Sequence, residues 1–543
     1  MGLKIKERDL LGRIGKLETK SGTVETPLIF PVVNPAQQII PPKKIHDVFG
    51  FKALITNAYI LMKRFGQKPI EEGIHRFLDF DGVIMTDSGA YQILIYGDIE
   101  TTPKEIVEYQ EKIDTDIATI LDHPTGWKVT RRYAEKTVNT TLERARDLFK
   151  IKRRKDISWV GPIQGGQHLD LVTMSVNEMT KMPFDLFALG SPTEIMQQYR
   201  FDLLLDMILT TKKNLPIEEP LHLFGAGHPF MFSFAVALGC DLFDSAAYAI
   251  YARNERYMTE YGTHKLKDLE YFPCPCPSCN ETDPEEVQGM AEIEKQAFLA
   301  EHNLYSCQAE MKRIKTAIKE GRLWELLQTR AHVHPTLFQA VKLLRKYEEY
   351  IEKHSPTIKK GGIFFYSSVD LARPEVVRHR KRLVQRYSQP EETETLILMP
   401  QTQIKPLHNS KLYKETAEIL RGSLKKHKDK IHVCFYTGPF GVVPVELDEV
   451  YPLSQHEIAL PLDREIINYV AEQVANYIEK ADYETVVLIH DPENWKKEVL
   501  NACIETCKRA NIQFECLNIK EKHRKTILTD LKNILLKKLR EKP

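Results

Sequence analysis

Eight short apolar runs separated by amphipathic stretches of helical length occupy the first 245 or so residues, and this alternation restricts the fold more than any other feature of the chain. The runs are Leu28–Val33, Ala53–Asn57, Val83–Asp87, Ile117–Asp122, Ser158–Gln164, Leu186–Gly190, Leu221–Gly225 and Asp241–Asp244. Between them lie stretches such as Pro103–Ile113, Arg131–Phe149 and Thr193–Lys213, with Pro103 and Pro192 where helix starts tolerate proline. Eight strand–helix alternations in about 250 residues match a (β/α)8 barrel in number and length. An open, doubly wound sheet is the structural alternative. Asp87, Asp122, Gln164, Gly190, Gly225 and Asp244 end their runs, which is where barrels place chemistry.

The two outermost of these acids matter most. Asp87 lies in Thr86-Asp87-Ser88-Gly89-Ala90-Tyr91-Gln92 and Asp244 in Cys240-Asp241-Leu242-Phe243-Asp244-Ser245-Ala246. Each ends an apolar run and precedes a loop of small residues. Aspartate in that place also serves as an ordinary helix N-cap. Two carboxylates at one barrel mouth, however, can divide a reaction between a nucleophile and a proton carrier.

A chain of 543 residues is too long for one hydrophobic core, and its composition, 42% hydrophobic and 28% charged, is that of a soluble globular protein. No apolar run approaches the roughly 18 residues of a membrane span and no signal-peptide core opens the chain, which predicts a cytoplasmic location. The boundaries read from the sequence are a barrel over 1–270, a zinc-binding and helical subdomain over 271–354, and a linker with a first C-terminal domain over 355–400. A second α/β domain follows over 401–518 and a basic helical tail over 519–543. Strand-like runs at Ile363–Tyr366, Thr393–Met399, Ile431–Phe435 and Thr485–His490, with helices near Leu412–Leu424 and Arg464–Glu479, describe the smaller α/β part. Net charge is only +1, but basic clusters at Lys150–Lys155, Arg378–Arg382 and Lys520–Lys542 point to a polyanionic partner.

Three of the nine cysteines fall within six residues, Cys274-Pro275-Cys276-Pro277-Ser278-Cys279, and His302 follows. Three thiolates and an imidazole form a closed tetrahedral set for zinc, with no position left for an activated water. The expected role is structural. A zinc hydrolase is excluded on the same ground.

Six motifs in order carry a resemblance to a known family: Thr86–Gln92, Ile120-Leu121-Asp122, Gly161-Pro162-Ile163-Gln164-Gly165-Gly166, Leu223-Phe224-Gly225-Ala226-Gly227-His228-Pro229, Asp241–Ser245, and the Cys-X-Cys-X2-Cys…His set. The chain resembles the archaeal tRNA-guanine transglycosylases over roughly its first 345 residues. These enzymes exchange a guanine in the tRNA D-loop, at position 15, for 7-cyano-7-deazaguanine in archaeosine biosynthesis. The resemblance implies that Asp244 is the nucleophile on the ribose and Asp87 the general acid/base. It implies that Asp122 and Gln164 read the purine edge, that Tyr91 and Phe224 sandwich the ring, and that Gly190 and Ser88 complete the base site. It further implies tRNA, guanine and 7-cyano-7-deazaguanine as substrates, zinc as a structural metal and a homodimer. Looser similarity to the family's C-terminal tRNA-recognition domains runs through Tyr366–Pro374 and Val443–Pro452. The terminal PUA domain of many members is not evident, so the grip on tRNA is expected from a separate PUA protein or, in part, from the basic tail Lys520–Lys542. Two alternatives carry the same architecture: an archaeosine synthase-like paralogue, and a catalytically silent tRNA-binding subunit. Both aspartates in intact motifs favour base exchange.

Overall fold

The computed structural model describes residues 3–92, 100–519 and 524–540, and within them the chain forms two compact units, Met1–Tyr347 and Glu348–Pro543. Parts of the basic tail, 520–523 and 541–543, lie outside the described residues. The described part of the tail is a helix, Arg524–Arg540.

The first unit opens with an antiparallel sheet, β1 (Lys4–Asp9), β2 (Gly12–Thr19) and β3 (Gly22–Thr26). The eight expected strands follow as β4 (Leu28–Val33), β5 (Ala53–Asn57), β6 (Val83–Asp87), β7 (Ile117–Thr119), β8 (Ser158–Ile163), β9 (Leu186–Leu189), β10 (Leu221–Leu223) and β11 (Leu242–Ser245). They pair in parallel and in chain order, and β11 returns to pair with β4, so the sheet closes as a (β/α)8 barrel. The open-sheet alternative is thereby excluded.

What fills the two ends of this barrel decides where chemistry can occur. Ala53, Val83, Ile117, Leu186 and Leu242, residues at or next to the first position of their strands, are buried together with Leu3, Leu17 and Val24 of the N-terminal sheet. That sheet therefore plugs the N-terminal end. Arg13 of β2 fastens it there through a buried, two-pronged ion pair with Asp241 (Nε to Oδ1 2.7 Å, Nη2 to Oδ2 2.8 Å). A planar guanidinium on a carboxylate fixes direction as well as distance. The opposite, C-terminal end is left for the loops.

Several strands are shorter than the sequence suggests. β7 stops at Thr119, so Asp122 lies three residues into the loop, while Gln164, Gly190 and Gly225 sit one or two residues past their strands. At the mouth the backbone leaves the ladder early, so these residues belong to the loops. The stretch Thr193–Lys213, expected as one helix, forms two, Thr193–Gln197 and Phe201–Asn214. Tyr199 adopts φ 54° between them, a conformation an α-helix cannot continue through.

After the barrel come a hairpin, β12 (Arg256–Thr259) and β13 (Gly262–Lys265), and the 29-residue helix Glu292–Glu320, which packs on β12. In the second unit, β14 (Ile363–Phe365) pairs with β18 (His456–Ile458). A separate five-stranded sheet has the order β17 (Gly441–Pro444), β16 (Ile431–Thr437), β15 (Thr395–Pro400), β19 (Thr485–His490), β20 (Gln513–Asn518). Because β15 stands at its centre, a division at residue 400 runs through one sheet, and the segments 355–400 and 401–518 share a core.

Candidate active site and metal centre

Three carboxylates gather at the open mouth. Asp87, the last residue of β6, is recessed, and its carboxyl is pushed up to about 7, mainly by burial and then by the charges of Asp122 and Asp244. The backbone N–H groups of Gly89 and Ser88 oppose that shift, and Asp87 Oδ2 accepts two hydrogen bonds. Asn57, the last residue of β5 and in register with Asp87, gives its side-chain N–H to Asp87 Oδ2 at 3.1 Å. Gly89 gives its backbone N–H to the same oxygen at 3.2 Å. Gly89 has φ 94°, and a Cβ there would fall 2.5 Å from Cβ of Tyr59, so only glycine permits this turn. Burial and like charge outweigh the backbone donors, and the result is an acid that exchanges its proton near neutrality.

Asp122 is buried and likewise raised, to about 6, chiefly by desolvation. Its partner is Gln164, whose side-chain nitrogen donates to Asp122 Oδ2 at 2.5 Å. The carbonyl of Gln164 accepts from the backbone N–H and hydroxyl of Thr125, both at 3.0 Å, and from Ser191 at 3.1 Å. Three donors on one oxygen fix which way the amide faces, with its N–H group toward Asp122. Gly190 leaves room for this arrangement, since a Cβ there would fall 2.2 Å from the Gln164 nitrogen. Gly190→Ala is therefore expected to swing Gln164 off Asp122 and lower kcat/KM by about a hundredfold, the scale of a 1 Å misplacement. Steady-state kinetics checks this, with an unchanged melting temperature separating it from a folding defect.

Asp244, on β11, is held differently. Its Oδ1 is bonded to Nε2 of His222 at 2.8 Å and accepts the backbone N–H of Gly225 at 2.9 Å. Gly225 has φ 65°, which turns that N–H back toward the carboxylate. Both bonds fall on one oxygen. Of the remaining sequence-selected residues, Tyr91 is 43% exposed just past Asp87, and Phe224 is half-buried and tilted against His222 with ring centres 4.6 Å apart. Ser88 is buried, and its hydroxyl has no hydrogen-bond partner among the described residues. Asn57 and His222 escaped the sequence reading. Asn57 carried the same signal as the others, a polar residue ending an apolar run; His222 stood inside one, which marks it only weakly.

The second cluster is Cys274, Cys276, Cys279 and His302, whose ligand atoms all lie within 4.8 Å of one another. The cysteines come from the loop and short turn after the hairpin, and His302 from the long helix Glu292–Glu320. His302 Nε2 is 2.7 Å from the backbone carbonyl of Met258, so that nitrogen carries the proton. Nδ1 is then bare and faces the sulfurs, 3.3 Å from Cys279 and 3.6 Å from Cys276. A carbonyl fixing the tautomer of a ligating histidine is the usual outer support of a metal site, and this cluster can hold a metal ion. Cys276→Ser is expected to lower bound metal and the melting temperature together, by about 5 °C or more, as metal analysis and a thermal melt would show.

A parallel barrel with acids converging at its open mouth is the plan of a barrel enzyme, and one titrating near 7 beside another held by two donors suits group transfer at a polarised carbon. The family model for queuine tRNA-ribosyltransferase matches residues 9–336, and a domain of unknown function matches 376–535. The chain is 42% identical over 500 residues to the tRNA-guanine(15) transglycosylase of Methanocaldococcus jannaschii, covering 90% of this chain and 73% of that one. It is 41% identical over 493 residues to the protein of the same name from Sulfolobus acidocaldarius, with 90% and 94% covered, and 42% over 499 residues to that of Saccharolobus solfataricus, with 90% and 96% covered. The chain belongs to the queuine tRNA-ribosyltransferase family. Among the described residues no helix is long and apolar enough to cross a membrane.

Proposed function

We propose that this enzyme exchanges guanine 15 in the D-loop of tRNA for 7-cyano-7-deazaguanine, through a ribose ester on Asp244. The observation that carries the reading is the pair of unlike carboxylates at one mouth: Asp244 tied by two donors on Oδ1, and Asp87 pushed up to about 7. The names of the relatives, tRNA-guanine(15) transglycosylase, support the choice of RNA and position. The 7-cyano base rests on the resemblance of the site motifs.

The steps balance without an energy source. An Asp244 oxygen attacks the anomeric carbon, the carbon–nitrogen bond breaks, and its electron pair leaves with guanine as Asp87 delivers a proton. The incoming base then loses a proton to Asp87, its nitrogen attacks the same carbon, and the ester electrons return to Asp244. Two displacements retain configuration, and each is easier than one direct exchange. Asp122, held by Gln164, supplies acceptors for purine N–H groups, and Tyr91 and Phe224 supply faces for the ring. A base inside folded tRNA must leave its stack to reach them.

Zinc is the metal proposed for Cys274, Cys276, Cys279 and His302, in a structural role that joins the cysteine loop to the long helix. A homodimer and a cytoplasmic location remain part of the proposal. The test is incorporation of labelled guanine into tRNA and into a tRNA altered at position 15. Label in the first and none in the second is expected; equal label in both, or none in either, sinks the reading.

A further inference from the structure

His222 belongs to no motif that selected the site, yet it makes the closest side-chain contact to Asp244. It is fully buried on β10, stacked on Phe30 with ring centres 5.8 Å apart and planes 15° apart, and covered on another side by Phe224. Its Nε2 lies 2.8 Å from Asp244 Oδ1. Its Nδ1 is buried and has no hydrogen-bond partner among the described residues. A buried N–H with no acceptor is costlier than a bare ring nitrogen, so the network assigns the proton to Nε2, where a carboxylate receives it. His222 and the Gly225 N–H thus place two donors on the same oxygen.

We infer that His222 is a positioning residue that reserves Oδ1 of Asp244 and leaves Oδ2 as the atom that bonds to ribose. This rests on the covalent reading above. A carboxylate rotating freely offers either oxygen at variable angles. Pinned through Oδ1, it offers one lone pair in a constant direction, which is what a near-attack geometry demands. In the second displacement the two donors stabilise charge returning to the carboxylate, so His222 assists both halves without moving a proton. The aromatic walls supply the rest: Phe30 and Phe224 hold the ring plane, and they keep water from competing for Nε2.

The test compares side chains that differ in where they place an N–H. Glutamine sets its amide nitrogen near the Nε2 position; asparagine sets it near Nδ1, away from Asp244; leucine has none. Single-turnover formation of the denaturation-resistant enzyme–tRNA adduct is the readout, with tRNA affinity and melting temperature measured beside it. His222→Asn and His222→Leu are expected to slow adduct formation about 10- to 150-fold, the range for losing a hydrogen bond to a charged group, with tRNA affinity unchanged. His222→Gln is expected to recover most of the loss. Equal rates for the Gln and Asn variants, or wild-type rates in the Leu variant, overturn the inference. Should these variants fail to fold, the wild-type adduct decides. Stalled with a guanine analogue carrying carbon in place of the attacking nitrogen, its crystal structure should show the ester on Oδ2 with Oδ1 still bonded to Nε2, and an ester on Oδ1 overturns it. If the wild-type enzyme yields no adduct at all, the covalent reading fails first.

Discussion

On the proposed mechanism, Asp244→Asn is expected to abolish the covalent enzyme–tRNA adduct and to lower base exchange by at least about a thousandfold, with tRNA affinity staying within about twofold of the wild type. The first part follows from chemistry: an amide oxygen is a poor nucleophile and cannot carry the charge that the second displacement returns, and removing a nucleophile costs far more than removing a contact. The second part follows from the local geometry. His222 and Gly225 both donate to Oδ1, so the asparagine carbonyl can take that place and keep both bonds. The side chain keeps its shape and loses only its reactivity. A denaturing gel with labelled tRNA and an incorporation assay read the two quantities separately. Retained exchange would remove Asp244 from its role, and lost tRNA affinity would make it a binding residue instead.

The parts of this molecule that were legible in the sequence are those governed by short-range pattern. Eight apolar runs at regular spacing announced a closed parallel barrel, because strands buried on both faces need continuous apolar residues. Strand ends then announced the acids, since a barrel offers side chains to substrate only there. The N-terminal sheet was hidden for the opposite reason. Its first strand, Lys-Ile-Lys-Glu-Arg-Asp, is half-buried and nearly all charged, and it becomes a strand only because it pairs with β2 and plugs the barrel. The strand Gln513–Asn518 was missed at the edge of its sheet, where its apolar residues are only partly buried.

Support of the site was the least legible layer. Asn57 acts on a residue 30 positions away and His222 on one 22 positions away, through contacts made by neighbouring strands. No local period encodes such a pair. The metal cluster shows the intermediate case: the cysteine spacing was self-evident, and His302 was chosen by distance along the chain, yet the carbonyl of Met258 that sets its tautomer comes from β12 and is invisible until the hairpin folds. The residues proposed for the chemistry were therefore easier to read than the residues that hold them in place.

The sharpest consequence of that aiming concerns Asp87. Its carboxyl titrates near 7 because burial and the nearby Asp122 and Asp244 outweigh the backbone donors Gly89 and Ser88. In the proposed mechanism departure of guanine requires the protonated acid, so adduct formation should be level below neutrality and fall as pH rises through about 7, by about fiftyfold between pH 7 and 9. Reaction of a preformed adduct with incoming base requires the carboxylate, so that half-reaction should rise with pH and level off above about 7. Asp87→Asn should slow both by about a hundredfold or more and flatten both profiles. Stability gives an independent check with a definite sign. In the unfolded chain the carboxyl ionises near its ordinary value of 3.8, and in the folded enzyme only near 7. Below about 4 both states are protonated and the group costs nothing; as pH rises from there to about 7 the unfolded state loses its proton first, and the native state loses stability. Asp87→Asn removes that loss, so its melting temperature should match the wild type near pH 4 and exceed it near pH 8. Parallel profiles for the two half-reactions would show that a different group carries the proton, whatever the melting curves do.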